Sequence, residues 1–478
     1  MRLDRQRASR PGVSGINTAL LDDLRVQLGS DAVLTDAADR WAYGVDNSRR
    51  QTLPCAVLLP QNQESVADIL RLCHRYETPV TVRGRGTGTA GAAVPEEDGI
   101  VLSTERMNRI LRVDAANRVA VVETGVTNDQ LQVAAGEQGF FWPPDPTSAA
   151  YCSIGGNLGC NSAGPRAVKY GTPRENTLGL KAVTGEGDCL TTGCYTTKGV
   201  VGYDLTRLLI GSEGTLAVIT EATLKLTPLP EAVITMRAIY RDIESAAAAV
   251  SAIMAQPLVP RVLEFMDGSS IQMIRGYDGD NLPKDAGAML IIEADGDVPS
   301  LARSADILES AAGNPGLVEF RKAADAREAA QLWSCRKALS PALRQVAPGK
   351  INEDVVVPVS KMAQFVERLE RLSRDYDVRI VNFGHAGNGN IHVNLLGNTA
   401  DPEIRSTMER CLSEIFRTVL ELGGTLSGEH GIGYDKREFV GLEIDAVTLD
   451  LMRRIKHQFD PKDILNPGKL FPESATPT

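Results

Sequence analysis

The sequence predicts an α+β fold built as two domains, and three observations carry that reading. A strand–helix–strand unit near the start opens directly into a glycine-rich loop. From about Glu231 the pattern changes to apolar strands alternating with helices, which suggests an antiparallel sheet. Three of the five histidines, His385, His392 and His430, then gather near the C-terminus among glycines and asparagines. The proline stop in "TLKLTPLP" sets the boundary, giving one domain over residues 1–228 and a second over 229–478.

Each element follows from local pattern. Residues 1–15 are basic, lack an apolar core and are expected to be disordered; a short helix follows near Ile16 to Leu28. "CAVLLP" reads as a buried strand, "SVADILRLCHRYE" spaces its apolar residues as a helix, and "PVTVRG" returns as a strand. "RILRVDAANRVAVVETG" alternates on either side of "DAAN", the signature of a hairpin. "GSEGTLAVITEATLKLTPLP" closes the first half with a long strand. In the second half "VITMRAIY", "RVLEFM" and "AMLIIEADG" read as strands, with "IESAAAAVSAIMAQ" as a helix and another helix to follow. No internal repeat interrupts this order.

Composition excludes several classes. The 478 residues are 43% apolar, enough for a substantial core, and 61 acidic against 51 basic side chains argue against a nucleic-acid partner. The eight cysteines stand singly with no Cys-x-x-Cys pair, which removes zinc ribbons, thioredoxin chemistry and an iron–sulfur cluster. Buried free thiols in a reducing cytosol are expected. The N-terminus carries no secretory signal, and no apolar run reaches the ~18 residues that span a membrane. The expected location is cytoplasmic, with peripheral attachment at the inner face of the membrane as an option.

Two stretches carry the chemistry. "RGRGTGTAG" sets Gly84, Gly86, Gly88 and Gly91 just after a strand, where backbone N–H groups can converge on phosphate oxygens. Its spacing fits neither the Walker pattern nor a Rossmann fingerprint, so a plain tight turn stays open. The second stretch is "GHAGNGNIHVNLL" with "SGEHGIG". Structural histidines, a nucleophilic site and a metal site compete there, and no serine or cysteine sits in a nucleophile elbow. Seven positions apart on one straight strand, His385 and His392 would face opposite sides; the intervening "GNG" can break the strand and reunite them. Glu429 would supply a third ligand, and two histidines with one carboxylate leave coordination positions open, as a catalytic metal requires.

"PPDPTS", "CSIGGNLGCNSAG" and "GYDLTRLLIGSEGTLAVIT", in that order after the glycine loop, resemble the flavin domain of the vanillyl-alcohol oxidase and p-cresol methylhydroxylase group. The resemblance implies a p-cresol methylhydroxylase-type FAD-binding domain followed by an α+β substrate-binding domain with an antiparallel sheet. It implies FAD contacts from Arg83, Gly84, Arg85, Gly86, Thr87 and Gly88 around the pyrophosphate. Asp145, Thr147, Ser148, Ser153, Gly155, Asn157, Asn161, Gly164, Gly214, Ile219 and Asn466 follow around the remainder of the cofactor. Arg85 replaces a small residue of the group, and Ala92 and Ala217 replace common glycines. Neither flavin loop contains histidine, so the FAD is expected to be non-covalent.

"GHAGNGNIHVNLL", "SGEHGIGYDKREF" and "FDPKDILNPGKLF" further resemble the FAD-dependent D-2-hydroxy acid dehydrogenases, over about residues 20–472. These include cytochrome-type D-lactate dehydrogenase, D-2-hydroxyglutarate dehydrogenase and the flavin subunit of glycolate oxidase. Asn388 stands where family members commonly have Asp. The resemblance implies a divalent metal, usually zinc, on His385, His392 and Glu429, and His430 as the base. Arg336 matches the arginine that holds the substrate carboxylate; Lys350 is a second candidate, with Asn352 as the alternative occupant of the family's lysine position. Asn394 is expected to orient the substrate or the metal shell. The implied reaction passes a hydride from Cα of a 2-hydroxy acid to flavin N5, with D-lactate favoured over D-2-hydroxyglutarate or a glycolate oxidase subunit role. Without an NAD unit, electrons are expected to leave to a quinone, a cytochrome or an electron-transfer flavoprotein, and the resemblance leaves room for a homodimer. The active site is expected between the domains, with the last residues returning to the flavin. A rival on the same fold is a transferase like the alkyl-glycerone-phosphate synthases, whose histidine-rich motif is not found here.

Overall fold

The computed structural model describes residues 16–275 and 282–472; the expected disorder of residues 1–15 lies outside them. The first sheet is small. Ala56–Leu58, Val80–Arg83 and Ile100–Ser103 run parallel, with Val33–Leu34 antiparallel at one edge. Ile100–Ser103 inserts between the other two, so the two strands of the sequence-predicted unit are not neighbours. Ala56–Leu58 and Ile100–Ser103 are buried throughout, which explains why they read as near-continuous apolar runs rather than alternating ones. The helix Gln63–Tyr76 begins where Asn62 accepts from the Ser65 amide, and its Val66, Ile69, Leu70 and Cys73 pack against Leu20 and Leu24 of the helix Thr18–Leu28.

The second sheet is antiparallel, in the order 110–114, 119–123, 217–225, 177–184, 189–193. Its first two strands are the predicted hairpin, turned through Arg118 at φ 55°. The long strand Ala217–Lys225 is central, and its pairing with 177–184 shifts register between Ile219 and Glu221. Cys189 and Cys194 flank the edge strand of this sheet and are exposed, unlike the buried Cys73, Cys152, Cys335 and Cys411. The expectation of buried thiols therefore fails at the two ends of this edge strand.

The third sheet has seven antiparallel strands in the order 317–322, 232–240, 288–296, 262–267, 379–385, 390–397, 349–356. Helices 243–255, 298–312, 362–376 and 402–421 cover one face. Period-two alternation then sorts side chains: Ile391, Val393, Leu395 and Val355 join that helical core. Their neighbours His392, Asn394 and Asp354 therefore point to the opposite face. Part of this second face is closed by helix Ala326–Val346, whose Cys335, Leu339 and Leu343 pack on Met266, Met289 and Val381. His392, Lys350 and Asn352 on this face line a cavity.

The chain end returns to that first sheet. The Val80 amide donates to Ile464 O at 2.7 Å, and Asn466 Oδ1 accepts from the Val82 amide at 2.8 Å. Among the described residues no helix is long and apolar enough to cross a membrane.

Candidate active site

The two histidines are reunited by a hairpin. Arg379–His385 and Asn390–Gly397 are joined by a short turn over Ala386–Asn388, closed by Gly389 at φ 70°. Only glycine suits that turn, since a Cβ on Gly389 would lie 1.9 Å from Val357 O. The register sets His392 opposite Phe383, and His385 is two residues along the same strand face as Phe383. Both imidazoles thus emerge on one side, with ring centroids 5.2 Å apart.

Glu429 comes to them from an irregular turn. Its Oε1 stands 3.3 Å from His385 Nε2 and 3.9 Å from His392 Nε2, while Oε2 accepts from the Gly164 amide at 2.8 Å. One ligand atom from each of His385, His392 and Glu429 lies within 4.8 Å of the others. Behind His385, the buried Glu264 contacts Nδ1 and also accepts from Arg336 Nε at 2.8 Å. A carboxylate on the far ring nitrogen fixes the tautomer that leaves Nε2 free, the usual outer support of a metal-ligating histidine.

Electrostatics divide the two rings. Burial opposes a charged His385, but Glu264 and Glu429 outweigh it and raise its pKa to about 10. His392 is pushed down to about 3, by burial first and then by the neighbouring histidines. Burial would raise Glu429, yet His385 and the other histidines hold its carboxyl well below the usual range. Arg336 also stacks over Phe383, its guanidinium carbon 4.5 Å from the ring centroid.

Between the glycine loops and the seven-stranded sheet lies a cavity of about 460 Å³, within the range of small-molecule sites. Gly84–Gly88, Thr147, Ser148, Ser153, Gly155, Asn157, Gly214, Ile219 and Asn466 line one side, with Arg83 among them. Arg336, Lys350, Asn352, His392, Glu429 and His430 line the other. Gly84 is needed for the close approach of two loops: a Cβ there would stand 2.3 Å from Ser153 Oγ. The His430 ring stacks on His392 at 5.2 Å and 15°.

Not every sequence-predicted residue reaches this cavity. Arg83 does, though its guanidinium donates to Val45 O at 2.7 Å and Ala42 O at 3.2 Å and so braces the loop. Asp145 pairs with Arg166 at 2.9 Å outside the cavity wall. The Asn161 side chain accepts from Thr172 Oγ1 and the Arg174 amide, closing a helix end rather than facing the cavity. Gly164 serves Glu429 through its amide. Asn394 is fully buried beneath the sheet surface, donating to Val381 O and His392 O at 3.3 Å. Sequence reasoning missed Glu264, Asp354 and Glu213. The first was visible only as one acidic residue inside the apolar strand "RVLEFM".

Glycine-rich loops frame the cleft on one side, and an ionisable, histidine-bearing sheet face frames it on the other. Residues 54–193 match the FAD binding domain family, and residues 229–470 match the C-terminal domain of FAD linked oxidases. The chain is 38% identical over 439 residues to the glycolate oxidase subunit GlcD of Bacillus subtilis, covering 92% of this chain and 93% of that one. It is 36% identical over 441 residues to a D-lactate dehydrogenase of Archaeoglobus fulgidus, covering 90% and 95%. The fold is shared with substrate-bound p-cresol methylhydroxylase, at a TM-score of 0.77 and 17% identity over 96% of this chain and 98% of that one. The chain belongs to the FAD-dependent D-2-hydroxy acid dehydrogenase family that includes proteins named GlcD and D-lactate dehydrogenase.

Proposed function

We propose that the protein oxidises a D-2-hydroxy acid, D-lactate first among them, to the 2-oxo acid, using non-covalent FAD and a divalent metal, zinc by preference. The observation that carries the metal reading is the convergence of His385, His392 and Glu429 with Glu264 behind the first ring. That donor set suits zinc or a similar ion with open positions. The FAD reading is supported by the family match and by the cavity that Gly84–Gly88, Ser153 and Gly155 line. When bound, FAD accepts the hydride from Cα, and the metal acidifies the substrate hydroxyl.

The chain's residues supply the rest. Arg336, held by Glu264, and Lys350 on the same wall bind the substrate carboxylate. His430 takes the hydroxyl proton, as its place in the cavity beside His392 allows. His392 is neutral at working pH because burial depresses it, so its lone pair is free to ligate. His385 must release a proton when an ion arrives, so ion affinity rises with pH. Electrons then pass to a quinone, a cytochrome or an electron-transfer flavoprotein.

A second reading, a glycolate oxidase flavin subunit, is favoured by the similarity to GlcD of Bacillus subtilis. Steady-state kinetics with D-lactate, D-2-hydroxyglutarate, D-malate and glycolate and an artificial acceptor separate these. The highest kcat/KM is expected for D-lactate. A preference for glycolate favours the second reading, and no turnover with any of the four overturns both.

A further inference from the structure

Six consecutive backbone N–H groups form the turn that presents Glu429 and His430, and every one is held by a side chain. The amides of Gly428, Glu429 and His430 donate to one oxygen of Asp354, at 2.9, 2.6 and 2.8 Å. The Gly431 amide donates to Ser427 Oγ at 3.1 Å. Those of Ile432 and Gly433 donate to the two oxygens of Glu213, at 2.6 and 2.8 Å.

The two carboxylates come from opposite sides of the cavity. Asp354 is fully buried on the seven-stranded sheet, directly opposite His392 in the register. Its second oxygen accepts from Lys436 Nζ at 2.6 Å and Ser427 Oγ at 3.1 Å. Glu213 belongs to the other side, beside the cavity-lining Gly214, and sits at φ 52°, a conformation uncommon for a residue with a Cβ. Asn466 Nδ2 donates to its carbonyl at 2.5 Å. Ionised acceptors bind amides more strongly than neutral ones, and a buried carboxylate tolerates little loss of its partners. The turn is therefore referenced at once to the sheet that bears His392 and to the glycine loop across the cavity.

We propose that Asp354 and Glu213 are positioning residues that jointly set where the Glu429 carboxylate and the His430 ring stand, an inference resting on the metal-dependent reading of this site. Glu213 acts through the turn's backbone, and Asp354 acts through that backbone and also stands 3.5 Å from His430 Nδ1.

The test uses the FAD-loaded protein and three variants, Asp354→Asn, Glu213→Gln and Ser427→Ala. An amide side chain offers one acceptor oxygen where the carboxylate offers two, and Ser427→Ala removes the contacts of Ser427 Oγ with the Gly431 amide, Gly431 O and Asp354. Zinc affinity is read by competition with a chelator, alongside flavin content, thermal midpoint, KM, and the rate of flavin reduction at saturating D-lactate. Glu213→Gln and Asp354→Asn are expected to keep FAD, to bind zinc about tenfold or more weakly, the scale of lost outer-shell support, and to reduce flavin more slowly. KM, set by Arg336, should move far less. Ser427→Ala should show the same pattern, only smaller. If Asp354→Asn does not fold, the other two carry the test. Zinc affinity and reduction rates equal to the parent in Glu213→Gln and Ser427→Ala overturn the inference. A parent that binds no zinc instead defeats the proposed metal, and the positioning is then judged on reduction rates alone, where equality again overturns it.

Discussion

Replacing Glu264 by Gln isolates one carboxylate that serves two parts of the site. Glu264 is buried, contacts His385 Nδ1 and accepts from Arg336 Nε at 2.8 Å. Glutamine can keep one of these bonds through its single carbonyl oxygen. If that oxygen faces His385, the amide NH₂ faces the guanidinium, donor against donor. Loss of an outer-shell carboxylate typically weakens a metal site by about 10–100-fold, or roughly 1.4–2.8 kcal/mol. Leaving the Arg336 charge in a site only 13% exposed without its partner adds a stability loss of about 3 kcal/mol. The variant should bind zinc at least about tenfold less tightly, melt at lower temperature, and show a raised KM because Arg336 is no longer aimed. Chelator competition, thermal denaturation and initial rates measure the three effects. Zinc affinity within about twofold of the parent would refute the claim that Glu264 orients a metal ligand.

His430→Ala should retain zinc and FAD yet lose turnover by about 10²-fold, the scale of a missing general base, whereas His392→Ala should lose the metal; elemental analysis beside kinetics distinguishes them. Acid or heat denaturation should release yellow flavin into the supernatant, and flavin remaining with the precipitated chain would contradict non-covalent binding. Lys469 is buried, donating to Thr81 Oγ1 at 3.3 Å, and burial pushes it down to about 7 from 10.5. A lysine lowered in this way binds fewer protons folded than unfolded, so its destabilising effect is full below about pH 7 and fades as pH rises toward 10.5. Lys469→Met should therefore stabilise the protein most near pH 7, and denaturant titrations showing the same gain at pH about 9 would contradict this.

Much of the fold was legible because its signals are local. The hairpin around "DAAN", the helix of "SVADILRLCHRYE" and the strands of the second half follow from periodicity that tertiary packing reinforced. The insertion of Ile100–Ser103 between two earlier strands was not legible, since sheet order depends on contacts far apart in sequence. The hairpin that reunites His385 and His392 could be anticipated from "GNG", a turn signal between two apolar runs. Asn161 and Asp145 show the converse: their motif resembles a cofactor loop, yet their side chains are engaged by Thr172 and Arg166. Glu264 escaped notice as a single acidic residue in the apolar strand "RVLEFM", and Glu213 as one residue of the motif "GSEGT"; only the folded chain brings each against its partners.

Anaerobic mixing of the FAD-loaded protein with D-lactate, before and after removal of metal by a chelator and its restoration with zinc, tests the central claim most directly. The account predicts bleaching of the flavin absorption by D-lactate, at least about tenfold slower bleaching by L-lactate, a difference of only about 1.4 kcal/mol, and loss of the reaction on chelation with recovery on adding zinc. Bleaching that proceeds at the same rate in metal-stripped protein, or equally with both enantiomers, would contradict it.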